Sequence, residues 1–255
     1  MAKNNWRKEE HIVAFNLYCK IPFTKINSSN KEIQQLASII GRSTGSVAMK
    51  LANFARLDPA LQARNISGLT QGAKGEEDVW NEFNGNWEEL AYESERILAL
   101  YRNNPLEKSA NIYTEDLPPE GKEREAIIKA RVNQSFFRNS VLASYDYKCC
   151  ITGLSVSELL VAGHIIPWSI NAEHRTNPSN GICFNALHDK AFDKGLMTIT
   201  PDYTIKFSER LFDRINKIEF DTLFYPYHGK QISLPHKFYP LMEFLDYHNL
   251  NIFQP

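Results

Sequence analysis

Apolar positions recur at helical spacing through the first hundred residues and give way to short β-type runs after residue 148. In "NWRKEEHIVAFNLYCK", Ile12, Phe15, Tyr18 and Cys19 fall on one helical face after a polar start. In "NSSNKEIQQLASIIGRSTGSVAMKLANFARLDP", Ser29 or Asn30 can cap a helix carrying Ile33, Leu36, Ala37 and Ile40 inward. Gly41 can end it, and Ser43 or Thr44 can start a second helix with Val47, Leu51 and Phe54 inside. Residues 76–102 read as further helix, with acidic side chains forming a solvated face. The stretch "NNPLEKSANIYTEDLPPEGKE" has three prolines and Gly121 and reads as a linker. Beyond it, "REAIIKARVNQSFFRNSVLASY" is helical again, with Ile127, Ile128, Val132, Phe136 and Leu142 inward.

From residue 148 the runs "CCITG" and "ELLVAGHII" are β-type and lead into the polar loop "NAEHRTNPSNG". "ICFNALHDKAFDKG" follows, then "LMTITPDYTIKFS", where Pro201-Asp202 turns one strand into the next. The C-terminal stretch is an extension followed by a final helix. The pattern divides the chain into residues 1–75, a helical module; 76–122, an acidic helical connector and linker; and 123–255, a second domain. The expected class is α+β.

Composition adds limits. At 255 residues, with 43% hydrophobic and 23% charged residues, the chain suits one large soluble domain or two modest ones. The polar start has no apolar signal region, and no apolar run approaches the roughly 20 residues that span a bilayer. A cytoplasmic protein with no membrane partner is therefore expected. The four cysteines form no C-x-x-C pair, so no structural Zn²⁺ is expected, and they read as small apolar residues. Net charge is −1, yet residues 1–75 hold 11 Lys and Arg against 4 Asp and Glu, while residues 76–125 hold 5 against 14. A basic segment can meet a polyanion, or it can be a solvated surface.

The two short helices around Gly41 have helix-turn-helix proportions. In that arrangement the second helix offers Arg42, Thr44, Ser46, Lys50 and Asn53 to DNA. The same hairpin also fits an ordinary small bundle, or a protein-docking one. Arg131, Gln134 and Arg138, spaced along the later helix, can hold phosphates or face solvent.

His164, in "AGHIIPW", has two readings as well: a satisfied core histidine, or a residue placed for chemistry. Its companions decide between them. "GHIIPW", "NGI" around Asn180, and "HDKAFDKG" from His188 follow within about 30 residues. This set resembles the HNH endonuclease superfamily, in its bacterial restriction-type branch, which carries "AHI-x-PW", "NG[IL]" and "H-x-x-x-FD-x-G". The upstream "RVNQSFFRNSVLASYDYKCCITG" and downstream "YHGKQISLP" are similar to the same branch. The likeness covers roughly residues 123–255.

The resemblance implies a ββα-metal core, a β-hairpin and a helix around one metal ion, that hydrolyses phosphodiesters of double-stranded DNA. It implies His164 as the general base and Asn180 as the residue bracing the loop beneath it. It also implies a metal ligand at His188 or Asp189, the choice between them left open by register, and Mg²⁺ or Mn²⁺ as cofactor. Asp193 is assigned a structural role near the helix end. Many HNH proteins carry Asp or His just before the base; here that position is Gly163. Restriction or phage defence is the implied role, and a homodimer is compatible with it. A DNA-binding regulator with a degenerate, non-catalytic HNH domain is the alternative. Of the other histidines, His174, His228, His236 and His248 read as surface or packing residues.

Overall fold

The computed structural model describes residues 5–64 and 74–255. The chain forms two compact units, residues 1–144 and 145–255. The first is helical: α1 (Lys8–Lys20), α2 (Lys31–Ile40), α3 (Thr44–Leu57), the short α4 (Pro59–Gln62), α5 (Lys74–Phe83), α6 (Trp87–Arg102), the short α7 (Leu106–Ser109) and α8 (Lys122–Ser144). The expected caps are in place. The Asn30 side chain accepts from the Glu32 and Ile33 N–H groups, and the Ser43 hydroxyl accepts from Ser46. Gly41 ends α2 in the left-handed region at φ 67°. The tail of the basic segment, residues 65–73, lies outside the described residues, as do residues 1–4.

The core of this unit is aromatic. Phe15 stacks on Phe54 at 4.8 Å between centroids and lies 5.1 Å from Trp80 and 6.1 Å from Trp87. Phe136 of α8 stacks on Trp87 at 6.3 Å, and α8 packs along α1 and α6. A boundary at residue 122 therefore has to be corrected. The apolar face of α8 completes the helical core, so the division between units falls after Ser144.

Charge pairing ties the same helices together. Glu76, on α5, is fully buried; its Oε1 accepts from Lys50 Nζ at 2.5 Å and from Asn53 Nδ2 at 2.8 Å. Burial pushes the Glu76 carboxyl up, but those two donors outweigh it and leave the group below its ordinary value. Arg42 holds buried Glu10 with two bonds, Nη2–Oε2 at 2.7 Å and Nε–Oε1 at 3.1 Å. Lys20–Glu95, Arg56–Glu77 and Lys8–Glu82 follow at 3.0, 2.8 and 2.7 Å. Four of these pairs join a cation from residues 1–75 to an anion from residues 76–125. The acidic helices are thus not simply a solvated face, because Glu76 and Glu95 point into the bundle and neutralise its cations.

The second unit holds β1 (Leu160–His164) and β2 (Gly181–Asn185), antiparallel with Leu160 opposite Asn185 and His164 opposite Gly181. α9 (Ala186–Asp193) follows directly, making a ββα unit. A second hairpin, β3 (Met197–Ile199) and β4 (Ile205–Phe207), then leads to α10 (Glu209–Phe212), α11 (Lys217–Leu223) and the final α12 (Met242–Asn251). "CCITG" is a turn and not a strand. Gly153 sits at φ 73° and its N–H bonds the Cys149 carbonyl, while the Cys150 N–H borrows the Cys183 carbonyl at the sheet edge.

α12 fixes α9 from behind. His248 is 1% exposed and stacks on Phe192 at 3.6 Å. Its Nε2 donates to the Phe192 carbonyl at 3.2 Å, leaving Nδ1 to accept from the Thr198 hydroxyl at 2.8 Å. Gly195 ends α9 at φ 65°, where a Cβ would sit 2.1 Å from the Ile252 carbonyl oxygen. The packing role expected of His248 is what the structure shows.

Two predictions follow from this packing. Glu76→Ala strands the largely covered Lys50 ammonium and the buried Asn53 amide, and should destabilise the helical unit by about 3–5 kcal/mol. Lys8→Ala, on a pair whose side chains are 58% and 44% exposed, should cost less than about 1 kcal/mol. Urea unfolding by tryptophan fluorescence measures both; equal costs would refute the internal pairing. His248 has its pKa lowered by burial to about 4, against an ordinary 6.5. The unfolded chain then takes up a proton that the folded one refuses, so stability should fall as pH drops from about 6.5 to about 4. His248→Gln should flatten that decline by about one proton, read from the slope of unfolding free energy against pH.

Candidate active site

β1 ends at His164, and the chain leaves it through Ile165, Ile166, Pro167 and Trp168 into the loop that returns at Asn180. Asn180 is 1% exposed. Its Oδ1 accepts from the Ile166 N–H at 2.8 Å, and its Nδ2 donates to the carbonyls of Ile166 and His174, both at 3.1 Å. Its own carbonyl accepts from the Ile165 N–H at 2.9 Å. One amide thereby closes the neck of the loop.

The loop delivers the Arg175 carbonyl to His164 Nε2 at 2.9 Å. A carbonyl only accepts, so Nε2 carries the proton and Nδ1 is the basic nitrogen of the neutral ring. Trp168 meets the imidazole edge-on at 5.6 Å and 85°. Burial lowers the His164 pKa, while the Arg175 carbonyl and the Asp193 carboxylate oppose that shift. The ring is therefore neutral near pH 7, as a base must be before it acts.

Gly163 has a steric reason to be glycine. A Cβ there would lie 2.6 Å from Asp189 Oδ1 and 3.0 Å from Phe184 Cδ2. The carboxylate of α9 thus occupies the space that a side chain at residue 163 would fill. Burial first, and then the neighbouring Asp193 carboxylate, raise the Asp189 pKa to about 6 against the pull of Lys190. Asp193 is exposed one turn further on and acts electrostatically on both His164 and Asp189.

His188 points elsewhere, which corrects its assignment as a ligand. Successive helical residues diverge by about 100°, and His188 is turned into a buried aromatic nest. Its ring lies 5.5 Å from Tyr227, 5.7 Å from Phe224 and 6.5 Å from Phe207, with Nδ1 3.1 Å from Asn185 Oδ1. Burial lowers its pKa to about 4. His174 is half-buried with its ring tilted 4.7 Å from Phe244, and His236 Nε2 lies 3.0 Å from Asp146 Oδ2.

The residues offered to DNA from α3 and its N-terminal turn are not gathered on an open face. Arg42 and Lys50 are engaged with Glu10 and Glu76, Asn53 is buried, and the Ser46 hydroxyl accepts from Trp6 Nε1 at 3.2 Å. Thr44 alone of the five is half-buried with no such tie described. The assignment of Arg42, Lys50 and Asn53 is corrected: their polar groups hold the bundle together. On α8, Arg131 donates to the Tyr113 carbonyl, while Gln134 and Arg138 lie on the exposed side, four residues apart. Arg175 was not legible as a site residue, because its contact with His164 is made by a carbonyl that every residue possesses.

Residues 149–200 match the family model of the HNH endonucleases. The matched stretch encloses His164, Asn180, Asp189 and Asp193. No curated protein matches the chain. Among the described residues no three His, Cys, Asp or Glu side chains gather to hold a metal. The cradle above Gly163 nevertheless fits a hard cation. Half-buried Asp189 has its carboxyl pKa raised by burial and by exposed Asp193 one helical turn on, and Mg²⁺ takes few protein oxygens and keeps several waters. No helix among the described residues is long and apolar enough to cross a membrane.

Asp189→Ala and Gly163→Ala should each weaken Mn²⁺ binding at least tenfold by calorimetric titration, the second by displacing the carboxylate. His188→Ala should lower thermal stability and leave Mn²⁺ binding within about twofold. The reverse ranking would return the ligand role to His188.

Proposed function

We propose that this protein, whose residues 149–200 match the HNH endonuclease family model, is a metal-dependent endonuclease cutting double-stranded DNA, acting in restriction or phage defence. The observation that carries the reading is the anchored tautomer of His164, with Nε2–H on the Arg175 carbonyl and Nδ1 as the basic nitrogen. His164 Nδ1 takes a proton from water as the water oxygen bonds to phosphorus. The P–O3′ bond breaks, and the leaving 3′-oxygen takes its proton from solvent. Asn180 and Trp168 keep the imidazole oriented through the step. Asp189, with Asp193 in place of the structural role expected of it, would hold Mg²⁺ or Mn²⁺, which would supply Lewis-acid stabilisation of developing negative charge. The defence role rests on the likeness of "GHIIPW", "NGI" and "HDKAFDKG" to restriction-type HNH proteins.

A DNA-binding regulator with a non-catalytic HNH domain is the second reading, and Gly163 in place of a ligand favours it. Against it, the Asp189 carboxylate is seated over that glycine, so an acid is delivered beside the base by the helix and not by the strand.

Plasmid DNA incubated with the full chain and Mg²⁺ or Mn²⁺ should be nicked and linearised, and chelator should stop the reaction. His164→Ala should lower the rate by at least about 100-fold while duplex binding survives. Wild-type protein inert with either metal, yet binding DNA, would favour the regulator.

A further inference from the structure

We propose that the Arg175 side chain grips the DNA phosphate attacked beside His164, so that one residue both orients the base and holds its substrate. The proposal rests on the endonuclease reading. Arg175 lies in the β1–β2 loop, whose neck Asn180 closes. Its Nε donates to the Trp168 carbonyl at 2.7 Å, and its guanidinium lies over the Trp168 ring, 5.3 Å from the centroid. The His164 ring packs against the same indole at 5.6 Å. Trp168 is therefore a common seat for base and guanidinium.

A guanidinium has five N–H donors in a rigid fork. Here Nε–H is used on the Trp168 carbonyl, which ties the guanidinium at one corner and leaves the two terminal amines beyond it. Among the described residues no hydrogen bond or ion pair engages those amines. The cations of α1 and α3 described above have carboxylate partners; among the described residues Arg175 has none. A preoriented Nη1–Nη2 edge matches two non-bridging oxygens of a phosphate. Holding the guanidinium on an indole also removes part of the entropy that a long side chain loses on binding.

The roles separate experimentally because the carbonyl stays in every side-chain variant. Arg175→Gln should leave the Arg175 carbonyl on His164 Nε2 but remove the phosphate contact. Arg175→Lys should keep a point charge and lose the fork. In full-length protein carrying His164→Ala, affinity for a mixed-sequence DNA duplex is measured against salt concentration without metal. Arg175→Gln should flatten the slope of log K on log salt by about 0.9, the value of one phosphate contact; Arg175→Lys should keep the slope. With His164 intact, Arg175→Gln should lower cleavage about 100- to 1,000-fold, and Arg175→Lys should fall between it and wild type. A salt slope unchanged in Arg175→Gln, in protein whose thermal unfolding matches the parent, overturns the proposal. If Arg175→Gln unfolds early, the Arg175→Lys rate decides: cleavage within twofold of wild type overturns the fork. Failure of the endonuclease reading would show separately, as wild-type protein that binds duplex but cuts nothing.

Discussion

The side-chain amide of Asn180 is the constraint on which the candidate site depends. Its oxygen and nitrogen together satisfy both backbone groups of Ile166 and the carbonyl of His174. A carboxylate of the same shape could accept but not donate, leaving two carbonyls without partners. Each such bond contributes about 1 kcal/mol net, and each stranded buried group costs about 1–3 kcal/mol. The amide pins the loop at its neck, the loop holds the Arg175 carbonyl over His164, and that carbonyl selects the tautomer. Asn180 is therefore a positioning residue that need not touch substrate.

The helical unit shows how a charge pattern can mislead when read along the chain. The excess of Lys and Arg in residues 1–75 and of Asp and Glu in residues 76–125 suggests separate modules, one of them facing a polyanion. In the fold the two segments are neighbours, and Lys50–Glu76, Lys20–Glu95, Arg56–Glu77 and Lys8–Glu82 consume much of the difference. What periodicity could supply, it supplied well. The inward faces of α1, α2 and α3 and the caps at Asn30, Gly41 and Ser43 follow from local rules that act within one turn. Whether a charge faces water or another helix depends on tertiary placement, which spacing along one helix does not encode.

The same division runs through the nuclease-like unit. The hairpin and the helix after it were legible because His164, Asn180 and "HDKAFD" come in the order a ββα unit requires, and the bracing amide was legible through the resemblance to HNH proteins. The choice between His188 and Asp189 was not, since it turns on the rotation of α9 about its own axis. Packing sets that rotation. Phe184 meets Phe192 at 5.2 Å, and His248 stacks on Phe192 from the far side. With Phe192 held inward, His188, one turn earlier on the same face, goes into the aromatic nest and Asp189 is turned toward β1.

Gly163 and Asp189 then form a single device built from two elements. Moving an acid from the strand to the helix works only if the strand gives up its side chain, because a Cβ at residue 163 would come within 2.6 Å of the carboxylate oxygen. The cost of the arrangement is that the proposed base and the acid beside it stand on different elements. His164 is set by β1 and the Asn180 neck, and Asp189 by the seating of α9. Their separation is set by the β1–β2 ladder from which α9 continues and by packing through Phe184, Phe192 and the His248 bonds to Phe192 and Thr198. α12, remote in sequence and bearing no proposed site residue, is in this sense the back wall of the candidate site.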